Sequence, residues 1–428
     1  MRVVSLDYDF RTIGHRNAQN LAYRLIIIPL LGYLAYVPLG PFPIYVRGIL
    51  LAHLIAVFVA FFSIAFIPAK VEKRVLVLIV CVCVFMFANF ISVAFSSHFD
   101  LSLRSFLVTT GFAFVALSVP FVMQYRIPFF RGYIFVTAIL VSLLILYLDL
   151  ILGWGTNIRL ALAWDATGTE GRVDPNMTAI GLIMSAIIYI PNFLQSRQKK
   201  RWEFVRFIGS CAGIILIMSS SFVLWSRTSI VALVLGVFWG VAILLFKFGA
   251  GKLFKRIGQG GYITLPKTMI LVLSMVLLVW WQWSEVVFIF ERLFSAIVDE
   301  QHETGRITLF FQAIDLWLQD INTLFVGVGY FTTNPHNEFL RALSGGGIIG
   351  FCAFLLLLSA FYTVCCLGRR HGALYLFSQN VLFGYICVAM LFYGHTKTLW
   401  VALMFLLANY LHERLKSKGV VGECNSMI

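Results

Sequence analysis

Long apolar stretches separated by short polar ones set the pattern of this chain. They fall at about 21–39, 44–67, 75–95, 103–124, 133–153, 175–194, 204–224, 229–246, 267–284, 346–367, 375–393 and 398–411. A helix crosses the hydrocarbon core of a bilayer with about 20 apolar residues. In lipid, backbone groups find their partners within the segment, which selects helices. The pattern therefore predicts an all-α polytopic protein of about 12 spans, one membrane domain over residues 1–428.

Two polar stretches are longer than the rest, 154–174 and 285–345. In the second, Ile307, Phe310, Phe311, Ile314, Leu316, Trp317 and Leu318 recur at roughly helical spacing, with Asp315 and Asp320 between them. This predicts an amphipathic helix over 305–319 that lies on the membrane surface or caps a cavity. Gly327-Val328-Gly329-Tyr330 then breaks the chain ahead of Asn334-Pro335-His336.

Composition agrees. Mean hydropathy is +0.90, and charged residues make up 12%, where soluble domains carry about 25%. The net charge of +14 would suit nucleic acid if it formed one patch. It is instead spread over the short polar segments, so anionic lipid headgroups are the expected partners and nucleic acid is not. With both termini cytoplasmic, 24 of the 33 Lys and Arg fall on the cytoplasmic side, as the positive-inside rule requires. Nine remain outside: Arg47, Arg104, Arg159, Arg172, Arg227, Arg292, Arg306, Arg341 and Lys397. The eight cysteines show neither zinc spacing nor a disulfide framework. No small-residue cleavage site follows the first apolar run, which reads as a retained span.

Against this background His336 stands out. It ends a polar loop where a membrane helix begins, and an imidazole with an ordinary pKa of about 6.5 suits a general base. Arg172 precedes Asp174-Pro175-Asn176, Arg227 sits in the short hairpin Ser226-Arg227-Thr228, and Arg306 opens the amphipathic helix. Guanidinium groups bind phosphate through two parallel hydrogen bonds and keep their charge; three together would hold a pyrophosphate. The plainer alternatives are a surface histidine beside a helix-packing Gly346-x-x-x-Gly350 pair, and arginines snorkelling to lipid headgroups. Asp149 near the end of the fifth span reads as an intramembrane functional candidate or as interfacial. His302 and His395 read as solvated, and Asp299, Glu300 and Glu303 as a solvated face ahead of a divalent-cation site. Gly258-Gln259-Gly260-Gly261 lacks the lysine and strand context of a phosphate loop.

His336-Asn337, nine residues, then Gly347-x-x-Gly350 resembles the signature of the O-antigen ligase and polysaccharide polymerase superfamily, bacterial membrane glycosyltransferases that use lipid-linked glycans. Ser226-Arg227-Thr228 looks like that family's arginine-bearing hairpin. Gly305-Arg306 with the following helix and Gly327-Val328-Gly329 looks like its large periplasmic loop, and Arg172 before Asp174-Pro175-Asn176 is similar to the segment leading into its next helix. The resemblance covers about residues 165–365. It implies a GT-C-like helical fold in the bacterial inner membrane, with 154–174 and 285–345 periplasmic. It implies an inverting glycosyltransferase without metal or other cofactor. His336 would be the base and Arg172, Arg227 and Arg306 the clamp on undecaprenyl pyrophosphate. The interval from Arg306 to His336 is compact where the enterobacterial ligases of that family carry a longer insertion, and by this resemblance a polymerase of O-antigen or exopolysaccharide repeat units is expected. A ligase acting on lipid A–core is the alternative, followed by a protein O-oligosaccharyltransferase or a lipid-linked glycan transporter. A chain-length regulator is an implied partner.

Overall fold

The computed structural model describes residues 26–35, 45–46, 49–68, 71–150, 175–195, 201–224, 227–249, 304–330, 337–367, 373–392 and 396–417. Helix α1 covers Ile26–Ala35. A two-residue antiparallel ladder, β1 (Tyr45–Val46) with β2 (Ile49–Leu50), leads into α2, Leu51–Ser63. Then come α3 (Lys73–Ala94), α4 (Phe99–Met123), α5 (Ile127–Leu150), α6 (Pro175–Gln195), α7 (Arg201–Val223) and α8 (Arg227–Phe248). After these follow α9 (Thr304–Trp317), the short α10 (Ile321–Val326), α11 (Glu338–Phe361, closing in a π-turn at Tyr362–Cys366), α12 (Ala373–Phe392) and α13 (Thr396–Ser417).

Eleven of the twelve apolar runs coincide with these helices; the run 267–284 lies outside the described residues. Among the described residues five helices are long and apolar enough to cross a membrane by themselves: Lys73–Ala94, Phe99–Met123, Ile127–Leu150, Thr228–Phe248 and Glu338–Cys366. Large apolar side chains such as Phe61, Phe87, Phe114, Leu140 and Phe238 are exposed on the outside of the bundle, where in water they would be costly. The protein is a helical membrane protein.

Side-chain contacts fix the direction of each helix. Phe85 of α3 meets Phe354 of α11, and Ser92 Oγ donates to the Gly345 carbonyl, so these two run antiparallel. Phe135 of α5 stacks on Tyr189 of α6 at 4.0 Å, with Arg131 beside Asn192, again antiparallel. Ser220 of α7 donates to Ser142 of α5 (2.9 Å) and Gly213 lies against Ile139 and Phe135, which makes α5 and α7 parallel. In the α8–α12 pair, Gly236 lies against the Tyr385 backbone and Gly240 against Val381. A Cβ on Gly236 would come within 2.8 Å of the Tyr385 nitrogen, so this close antiparallel packing depends on small residues. The result is two ends. At the near end α3, α5, α7 and α12 begin; at the far end α4, α6, α8, α11 and α13 begin.

Helix α13 is the core. Leu399 through Leu411 are all buried on every side, with Trp400, Phe405 and Tyr410 among the largest enclosed side chains. A helix apolar all round is expected in such a position. Near its end a polar network ties the bundle. Asn409 Oδ1 accepts from Arg131 Nε (3.1 Å) and Nη2 (2.6 Å), while Asn192 Oδ1 accepts from Nη1 (3.3 Å). Asn409 Nδ2 donates to Gln379 Oε1, and Gln379 Nε2 donates to both Tyr375 Oη and the Leu406 carbonyl. Tyr375 Oη in turn donates to the Cys365 carbonyl (3.1 Å). Arg131, which reads in the sequence as a loop residue of the basic side, is thus a buried knot of five helices. Leucine at Asn409 is expected to cost about 3 kcal/mol or more, because it strips two hydrogen bonds from a buried charge. Combining Arg131→Met with Asn409→Leu should recover part of that loss. Thermal unfolding of the purified protein in detergent reads both values.

The near end is also where the charge collects. Lys73, Arg74, Arg126, Arg206, Lys247, Arg414 and Lys416 lie at or next to the helix termini there. Arg414 Nη2 pairs with Glu72 at 2.7 Å.

Candidate functional site

Two of the four residues singled out in the sequence fall within the described residues. Arg227 is the first residue of α8 and Arg306 the third of α9. Arg172 and His336 lie outside the described residues. The helices that follow them, α6 and α11, begin three and two residues later, at the same end as α8. Helix α9 packs on α11. Three separate chain segments therefore start their helices at one end of the bundle, and the segment bearing Arg306 rests on the third.

A glycine-lined joint holds that third segment. Asp320 caps α10: its carboxylate accepts from the backbone N–H of Asn322 (2.7 Å) and Thr323 (2.8 Å), and Thr323 Oγ1 accepts from the Asp320 N–H (3.1 Å), a reciprocal box. The helix ends at Gly327, whose φ of 82° and ψ of 173° are open in practice to glycine alone. A Cβ there would collide with the Gly345 carbonyl of α11. Across the joint, α11 is itself interrupted at Gly347 (φ 61°, ψ −167°), where a Cβ would collide with the Phe325 carbonyl.

The interruption explains the contact. A break at Gly347 strips helical donors from the preceding carbonyls. Two of these find partners in the loop after α10: Val328 N–H donates to the Ser344 carbonyl (2.9 Å) and Gly329 N–H to that of Gly345 (3.2 Å). Ser92 adds a second donor to the Gly345 carbonyl, and Ser96 Oγ donates to the Val328 carbonyl (3.2 Å). Tyr330 Oη reaches Thr109 Oγ1 of α4 at 3.1 Å. Irregular backbone within a membrane protein survives where protein buries it and satisfies its polar groups, and α3, α4 and α10 do so here.

The start of α11 is earlier than the apolar pattern predicts. It begins at Glu338, capped by Asn337 Oδ1 accepting from the Leu340 N–H (3.0 Å), and not near Gly346. The turn between is helical although it carries Glu338, Arg341 and Ser344, because those three face inward. Glu338 and Arg341 form a buried ion pair at 3.0 Å. Their spacing of three residues was the available signal, readable once 338–345 is taken as helix. Ionisable groups buried at one end of a membrane bundle are functional candidates.

Unpartnered polar atoms gather at the same level. Ser102 Oγ, Thr178 Oγ1, Ser219 Oγ and Trp400 Nε1 are buried without a hydrogen-bond partner. They lie three or four residues from the far terminus of α4, α6, α7 and α13 respectively. A buried hydroxyl with no partner costs about 1–3 kcal/mol, a burden natural proteins keep where water or ligand serves it. Thr178→Val is expected to raise thermal stability and, at the same time, to lower activity. A rise in stability with activity unchanged would separate this layer from the site.

Among the described residues no three His, Cys, Asp or Glu side chains gather as a metal site. The chemistry on offer among the described residues of the far end is that of guanidinium, carboxylate, hydroxyl and indole groups. No family model, curated protein or solved structure matches the chain.

Proposed function

We propose that the protein is a polymerase of O-antigen or exopolysaccharide repeat units, a GT-C-like glycosyltransferase of twelve spans in the bacterial inner membrane. The observation that carries the reading is the common end shared by the starts of α6, α8 and α11, with α9 packed on α11. Those are the segments in which the sequence resembles the O-antigen ligase and polymerase superfamily. The basic near end is then cytoplasmic by the positive-inside rule. The far end faces the periplasm, where a flipped lipid-linked glycan is presented.

In this reaction an acceptor sugar hydroxyl attacks the anomeric carbon of a glycan on undecaprenyl pyrophosphate. The new glycosidic bond forms as the bond to the pyrophosphate oxygen breaks, with inversion. His336 accepts the hydroxyl proton. Arg172, Arg227 and Arg306 bind the pyrophosphate and meet the charge that grows on its leaving oxygen, which favours the transition state over bound substrate. The division of labour follows from acidity: imidazole exchanges a proton near neutrality, and guanidinium does not. No metal enters the reaction. A chain-length regulator is a proposed partner.

The test is transfer by the purified protein in lipid vesicles. With undecaprenyl-pyrophosphate oligosaccharide alone, a ladder of lengthening glycans is expected. Product formed only when lipid A–core is added would replace polymerase by ligase. No product under either condition would sink the glycosyltransferase reading.

A further inference from the structure

We propose that α9 and α10 form an interfacial anchor whose apolar face is seated in the acyl-chain boundary of the bilayer, beside the break in α11. At 3.6 residues per turn, α9 has three faces. Ala313, 2% exposed, marks the face turned to the protein, and α9 as a whole packs on α11. Phe310, Phe311, Ile314 and Leu318 share a second face, on which Phe311 and Leu318 are 57% and 56% exposed. Thr308, Gln312 and Asp315 occupy the third and are exposed as well, with Leu316 (42% exposed) at its edge towards the protein. A helix in water needs a buried face and a polar one. A separate exposed apolar face next to a polar edge is the mark of a helix lying in a membrane interface.

The apolar face does not stop with α9. The Trp317 indole N–H donates to the Leu324 carbonyl (3.0 Å), folding α10 back on α9. On α10, Ile321 and Phe325, one turn apart, are both exposed, Ile321 at 70%. The Phe325 backbone touches α11 at Gly347, and the next two residues of α11, Ile348 and Ile349, are exposed on a membrane-spanning helix. The apolar surface of the hairpin is thus continuous with a surface already turned to lipid. That continuity favours acyl chains over a protein partner as the occupant. The capping box at Asp320 and the exposed Asn322 keep polar groups at the rim, where water and headgroups reach them.

The inference stands apart from the reaction, since lipid contact is read without turnover. In the full chain with its native cysteines replaced, Phe311→Cys, Phe325→Cys and Gln312→Cys each receive an environment-sensitive fluorophore. The labelled proteins are placed one per nanodisc of phosphatidylcholine and phosphatidylglycerol, with a spin label on the upper acyl chain. Quenching severalfold stronger at positions 311 and 325 than at 312 is the expected result. Water-like emission with equal weak quenching at all three would overturn the anchor. So would protection of 311 and 325 that arises only in discs holding two copies, because a second chain would then be the occupant. To guard against a misfolded labelled variant, iodide quenching in the same discs is compared with that of protein unfolded in detergent. The anchored sites should be shielded only in the folded protein.

Discussion

Alanine in place of His336 is expected to lower glycan transfer by about 10²–10⁴-fold, the usual contribution of a positioned base, with the amount of membrane-inserted protein unchanged. The acceptor hydroxyl is a poor nucleophile until its proton has somewhere to go. Remaining turnover would come from the pyrophosphate clamp and from holding the two sugars together, neither of which needs the imidazole. Arg227→Lys and Arg306→Lys test the other half of the site. Lysine keeps the charge and loses the planar fork, so strong impairment of both would point to two-pronged binding of the leaving group. Wild-type rates in both lysine variants would remove the clamp. The pair of outcomes is informative because the base variant should leave donor binding intact, whereas the arginine variants should weaken it. Transfer rates against donor concentration separate the two.

Alanine at Gly347 should disable the protein in a different way, through folding. Its φ of 61° and ψ of −167° lie where side-chain-bearing residues essentially do not go, a penalty of about 1–3 kcal/mol. The added methyl group would also overlap the Phe325 carbonyl, and backbone cannot rotate away as a side chain can. Loss of monodisperse protein on detergent extraction is expected, with a large fall in the unfolding temperature of what remains. Gly346→Ala is the contrast. Its Cβ would sit 3.5 Å from Asn89 Oδ1, an ordinary contact. Replacing a helical glycine then gains up to about 1 kcal/mol. Equal damage from both variants would show that the joint is not built on backbone approach.

How much of this was legible in the sequence depends on which force wrote it. The apolar runs were readable because lipid imposes one solution on each of them, an internally hydrogen-bonded helix. The helix at Thr304–Trp317 was readable from its period, close to the expected 305–319. The start of α11 was not. Glu338, Arg341 and three consecutive glycines look like a loop, and only tertiary burial shows that the charged pair faces inward. Arg131 misled for the opposite reason. A lone arginine before an apolar run reads as a topology signal, while the amides that bury it sit 61 and 278 residues away. The glycine joint was half visible. Gly327, Gly329 and Gly347 are conspicuous as residues, but their pairing across a broken helix is a contact between two segments. The resemblance named Arg172, Arg227, Arg306 and His336, and the fold adds that α6, α8 and α11 begin together.

The enclosure of α13 has a consequence for assembly. Helices are laid into a membrane in chain order, and each must tolerate lipid until its neighbours arrive. Helix α13 has no lipid-facing side from Leu399 to His412, and Asn409 and His412 give its closing turns little affinity for hydrocarbon. Helices synthesised before it, α4 through α6 and α11 and α12, must hold open the channel that it fills. Until then Arg131 has the Asn192 amide of α6 but waits for that of Asn409, a state that membrane insertion factors would have to shelter. Quality control of this protein should therefore read the arrival of α13, and cells should clear chains in which that helix docks poorly even when every earlier span is sound.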